Sequence, residues 1–74
     1  MKLTLPGLKA ERERRGRTVQ DLARASGINH QTLHRIERGH PAMPITAERL
    51  ASALDVAVEA LRRPPPGASP RLFG

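Results

Sequence analysis

Two short segments of helical periodicity, separated by a cluster of turn-forming residues, constrain this chain more than any other feature. They fall in residues 18–39, TVQDLARASGINHQTLHRIERG. Thr18 is followed three residues later by Asp21, a spacing at which each side chain can satisfy the other's backbone N–H at a helix start. Leu22 and Ala23 then face inward. Ser26-Gly27 breaks the first helix, because glycine accepts the left-handed backbone that closes a helix C-terminus. Asn29 is a good N-cap for the second. Ile28 and Leu33 fall at the positions that staple a helix entry together. Leu33 and Ile36 continue the apolar stripe, and Gly39 stops it. The pattern predicts helices near residues 19–25 and 30–38 joined by a tight turn. The second helix leaves His30, Gln31, His34 and Arg35 on a face that packing does not claim.

The rest of the chain must supply something for those helices to pack on. Residues 1–5 alternate apolar and polar, as a short extended arm would. A first helix is expected over residues 6–15, with Pro6 in its opening turn, Leu5 and Leu8 as anchors and Gly16 beyond its end. Arg12, Arg14, Arg15 and Arg17 read as a solvated face, part of which can touch phosphate. Residues 39–45, GHPAMPI, are expected to form a loop, since Pro41 and Pro44 oppose a regular helix. Thr46 is then the expected N-cap of a fourth helix, with Ile45 and Leu50 as its staple. Leu50, Ala51 and Leu54 form its inward face, and Asp55 marks its end. Val56, Val58 and Leu61 belong to a short fifth helix or turn, and are expected to form a subunit interface or, alternatively, to complete the core. The expectation is an all-α domain of five short helices over residues 1–63. A Pro-rich, flexible tail follows over residues 64–74, and its Leu72 and Phe73 could dock on another subunit or protein.

Composition narrows the function classes. Thirteen Lys+Arg against seven Asp+Glu give a net charge of +6. That balance favours a polyanionic partner such as nucleic acid, although a basic surface also merely solubilises. Phe73 is the one aromatic residue, which argues against stacking on single-stranded bases. With no cysteine there is no disulfide framework and no thiolate metal site. No apolar run approaches the roughly 20 residues of a membrane span, and no signal-peptide core is visible, so a cytoplasmic location is expected.

The stretch resembles the helix-turn-helix of the Cro/phage-repressor-like (XRE) family of DNA-binding proteins. The resemblance rests on Leu22-Ala23, Gly27-Ile28, Leu33 and the ending Ile36-Glu37-Arg38-Gly39, and it extends over residues 8–61. It implies a compact lambda-repressor-like fold whose third helix reads the major groove of double-stranded DNA. Matched residue by residue, it implies that His30, Gln31 and Arg35 face base edges and that His34 lies beside base edges or backbone. Thr32, Arg38 and His40 are placed near phosphate. The family commonly carries a phosphate-reaching glutamine where this chain has Val19. Gln20, one residue later, is the corresponding candidate. Glu11 stands where an apolar residue is usual. The resemblance also implies a structural ion pair between Arg12 and Glu37.

Other chemistries find little support. His30 and His34 have a spacing that can hold zinc, but no cysteine or His-Glu-x-x-His signature completes a site, so no metal is expected. No nucleophile–base arrangement or phosphate-cradling loop is present, and no enzyme activity or cofactor is expected. The expected function is a sequence-specific regulator of transcription, a repressor first, acting as a homodimer on DNA. The alternative is an antitoxin-type module that neutralises a toxin partner and can also bind its own operator.

Overall fold

The structure is a computed structural model that describes residues 1–65. The Leu72 and Phe73 docking site and most of the Pro-rich tail lie outside the described residues. Five helices follow one another: α1 (Leu8–Arg14), α2 (Val19–Ser26), α3 (His30–Glu37), α4 (Pro44–Leu54) and α5 (Val58–Arg62). Helix α2 packs against α3 and α4, α1 against α3 and α5, and α5 against α4. The all-α expectation holds.

Local chemistry explains most of the helix ends. Thr18 Oγ1 accepts from the Asp21 N–H at 3.0 Å, and the Asp21 carboxylate accepts from the Thr18 N–H at 3.1 Å. This reciprocal arrangement holds the Asp21 carboxyl below the ordinary carboxylate range, the Thr18 backbone bond contributing most. Gly27 closes α2 with φ 74°, and Asn29 caps α3 by accepting from the Gln31 N–H at 2.8 Å. Asp55 closes α4 in the left-handed region, φ 59°, which a short polar side chain tolerates better than most.

Two expectations about the starts of helices are corrected. Helix α4 begins at Pro44, with Met43 as its N-cap, and Thr46 lies inside its first turn. Proline is suited to the first helical position, where its missing N–H has no partner to lose. Ile45 is consequently more than half exposed and does not staple the helix to buried Leu50. At the other end of the chain, α1 begins at Leu8 rather than Pro6, with Gly7 as its N-cap. The Gly7 N–H donates to the Leu61 carbonyl at 2.8 Å. A Cβ on Gly7 would stand 2.5 Å from the Arg63 carbonyl oxygen and 2.7 Å from that of Ala60. The start of α1 therefore abuts the end of α5, and only glycine fits between them.

Leu5, Leu8, Leu22, Leu33, Ile36, Leu50, Leu54 and Leu61 form the core, completed by Ala42, Ala47 and Ala51. Leu61 is fully buried within this single chain, so it completes the core and is not available as a subunit contact. Val56 and Val58 pack half-buried at its edge. The N-terminal arm is extended, as its alternation suggests. Leu3 exchanges both backbone hydrogen bonds with Ala42, at 2.7 and 2.6 Å, in an isolated antiparallel bridge.

Candidate nucleic-acid interface

Helix α3 is buried along its inner face and exposed along its outer one. Leu33 and Ile36 are buried, and the 3.6-residue period then turns His30, Gln31, His34, Arg35 and Arg38 outward. All five are exposed. Gln31, His34, Arg35 and Arg38 line one shallow hollow on that face. His30 adjoins it, its ring meeting that of His34 edge-on with centroids 5.9 Å apart. Thr32 is exposed but does not join the hollow. His40 follows the helix, with its N–H donating to the Arg35 carbonyl at 3.0 Å. Gln20 is exposed in the first turn of α2, while Val19 packs against the core.

What fixes α3 against the rest of the domain is a buried ion pair. Arg12 Nε and Nη2 donate to the two oxygens of Glu37 at 2.7 and 3.1 Å, and Arg12 Nη1 donates to the Arg17 carbonyl at 2.8 Å. The two side chains are only 10% and 8% exposed. The hydrogen bonding of Arg12 to the Glu37 carboxylate, above all, holds the guanidinium higher than its ordinary value despite burial. Arg12 thus departs from its neighbours on the basic face of α1. Arg14 and Arg15 both bind Glu11, at 3.6 and 2.6 Å. Those pairs let Glu11 occupy a largely shielded position.

A second device sets the turn between α2 and α3. Buried Ser26 donates to the Leu22 carbonyl at 2.7 Å and accepts from the Ile28 N–H at 3.3 Å. The sequence marks this position only as a helix breaker. Its polar role needs the burial that tertiary packing provides.

The electrostatic outcome is one-sided. Glu11, Glu37 and Asp21 are all engaged with arginines of α1 and α2. Among the described residues, neither Arg35 nor Arg38 has a carboxylate within ion-pairing distance. A convex helix bearing an amide, imidazoles and unpaired guanidiniums can hydrogen-bond base edges and phosphate. No group of three His, Cys, Asp or Glu among the described residues is placed to hold a metal ion.

The helix-turn-helix family model matches residues 8–61, most of the chain and all of the helical core. The chain belongs to this family. It is the Cro/C1-type, or XRE, branch of helix-turn-helix proteins. No curated protein and no solved structure matches the sequence significantly. At the level of the family the chain is a DNA-binding regulator of transcription, from a group that is generally non-enzymatic. No helix among the described residues is long and apolar enough to cross a membrane. In this helix-turn-helix domain α2 and α3 are the two helices of the motif, and Gly27 opens the turn between them.

Proposed function

We propose that the chain is a sequence-specific repressor that binds double-stranded DNA as a two-fold dimer and reads the major groove with α3. The observation that carries this reading is the exposed hollow of Gln31, His34, Arg35 and Arg38, with neither arginine paired to an acid among the described residues. An arginine fork matches guanine O6 and N7, and a glutamine amide matches adenine N6 and N7. Gln31 and Arg35 are therefore the principal base readers, with His30 and His34 beside them. Thr32, Arg38, His40 and Gln20 hold phosphate. Residues 1–63 are the DNA-binding domain, and residues 64–74 are an appended tail.

One helix reads too few base pairs for useful specificity in a genome, and two half-sites about 34 Å apart supply the rest. Val56 and Val58, partly buried at the core's edge, are the residues assigned to the subunit contact.

Phosphate contacts raise affinity on every sequence, whereas base contacts separate one sequence from another. Selection from a random DNA library should return one enriched palindrome. Against that site, Arg35→Ala or Gln31→Ala should weaken binding by about 1–3 kcal/mol and change binding to a scrambled duplex much less. Equal losses on both duplexes would remove α3 as the reading helix. Failure to select any duplex, together with a stoichiometric protein partner on purification, would move the chain to the antitoxin class.

A further inference from the structure

A second recess lies between α1 and the end of α5, with a volume of about 280 Å³. None of its lining residues belongs to the hollow on α3. The space exists because Gly7, Ala10 and Ala60, which border it, carry little or no side chain. Gly7 is held there by its N–H bond to the Leu61 carbonyl. Arg63 then leads the chain out of α5 in an extended conformation, φ −87° and ψ 138°. Pro64 and Pro65 follow and add a stiff apolar border.

Three charged residues line the same recess, Glu11, Arg14 and Arg63. The Glu11 carboxylate is already answered: its side chain is 13% exposed, and Arg15 donates to it at 2.6 Å. Arg14 stands 3.6 Å from the other Glu11 oxygen, an ion pair too long for a hydrogen bond. Arg63 donates through Nε to the Glu59 carbonyl at 3.4 Å, the long end of the range. Among the described residues, the terminal nitrogens of Arg14 and Arg63 have no hydrogen-bond acceptor. One guanidinium from α1 and one from just beyond α5 thus border a space otherwise bounded by small and apolar groups.

We propose that this recess binds a small organic anion, a carboxylate or phosphate group carried on a compact apolar body. A planar guanidinium meets either group with two parallel N–H···O bonds. Two arginines against one carboxylate that Arg15 already neutralises select an anion over a cation. The volume falls just below the roughly 300–1,000 Å³ of ordinary ligand pockets, so the occupant is a small molecule and not a helix or strand of another protein. Such a ligand touches α1 and α5 together and stabilises the folded domain by mass action. The proposal does not rest on the DNA-binding reading, since the recess and the α3 hollow share no residue.

The test is an NMR titration of backbone amides in the full chain at low salt, where charge attraction is least screened. The probes are benzoate and phenyl phosphate. Both should shift the amides of Gly7, Ala10, Arg14, Ala60 and Arg63 and leave those of Gln31, His34 and Arg35 unmoved. Benzamide, which keeps the ring without the charge, should bind about tenfold or more weakly than benzoate. Acetate and inorganic phosphate, which keep the charge without the body, should also bind more weakly. Arg14→Gln and Arg63→Gln change exposed positions and should keep the wild-type circular dichroism. Each should weaken benzoate by about three- to tenfold, a loss discounted for solvent screening. Ala10→Leu, which fills the space and leaves both arginines in place, should abolish binding. Benzamide binding as tightly as benzoate, or unchanged benzoate affinity in the Arg14→Gln/Arg63→Gln double variant, would overturn the proposal. So would shifts centred on α3, or no saturable shift with any of the four anions. Displacement of phenyl phosphate by a scrambled duplex would assign the two arginines to DNA phosphate and overturn it as well.

Discussion

Replacing Arg12 by methionine isolates the charge of the buried pair from its packing, because methionine keeps an unbranched stem of comparable reach. Three charge-assisted hydrogen bonds disappear, two to Glu37 and one to the Arg17 carbonyl. At about 1.5–3 kcal/mol each they set an upper bound. Glu37 is left 8% exposed with no counter-ion, and it can recover part of the loss by taking a proton or rotating toward water. Breaking one side of a buried pair costs about 3–5 kcal/mol on this balance. The whole domain has on the order of 5 kcal/mol to lose, so the variant should sit near its unfolding midpoint at room temperature. Arg12→Met with Glu37→Leu removes both charges, leaves only the Arg17 carbonyl to be resatisfied, and should be more stable than Arg12→Met alone. Urea denaturation followed by circular dichroism at neutral pH gives the four stabilities of the cycle and hence the coupling. A loss below about 1 kcal/mol for Arg12→Met, with no rescue in the double variant, would mean that the pair behaves as a solvated surface bridge. Arg12 and Glu37 would then not anchor α3 to α1.

Three further perturbations follow from the packing and the caps. Gly7→Ala should destabilise the domain by roughly 1–3 kcal/mol, read in the same denaturation assay, because the added methyl meets the carbonyls of Ala60 in α5 and of Arg63 just beyond it. Leu33→Ala should cost about 2–5 kcal/mol by calorimetry, since the side chain is fully buried and its removal leaves a cavity behind the exposed face of α3. Asp21 has its folded-state pKa lowered by the cap, so its contribution is present above the ordinary carboxylate range and fades as the pH falls through the lowered value. Acid titration of helicity should show an α2 transition in the wild type that Asp21→Asn removes.

The parts of the fold that were legible in the sequence are those whose signal is local. Thr18 and Asp21, Gly27, Asn29 and Asp55 each act within one helical turn, and each ends or starts a helix where its chemistry says it should. Leu22, Leu33, Ile36, Leu50 and Leu54 were legible because burial follows the helical period. Pro44 was ambiguous, because proline opposes a helix interior yet favours its first position, and only the neighbouring packing decides between them. Leu61 could serve a core or an interface until α4 and α1 close over it. The outward face of α3 was visible as the complement of Leu33 and Ile36. That Arg35 and Arg38 stand without acids among the described residues was not, because it depends on Arg12 reaching Glu37 across the fold and on Glu11 attending to its own helix.

The contact of Gly7 with the end of α5 makes the domain a closed ring of helices, not an open string. The backbone bond from Gly7 to Leu61 spans almost the whole described chain, so its loop-closure entropy is met only when everything between is already in place. It makes the two ends of the domain interdependent: removing the arm and Gly7 should loosen α5, and removing α5 should loosen α1. Because α1 carries Arg12, a cut at either end would be felt at α3, and fragments holding the two motif helices alone would not inherit the geometry that the ring imposes on them.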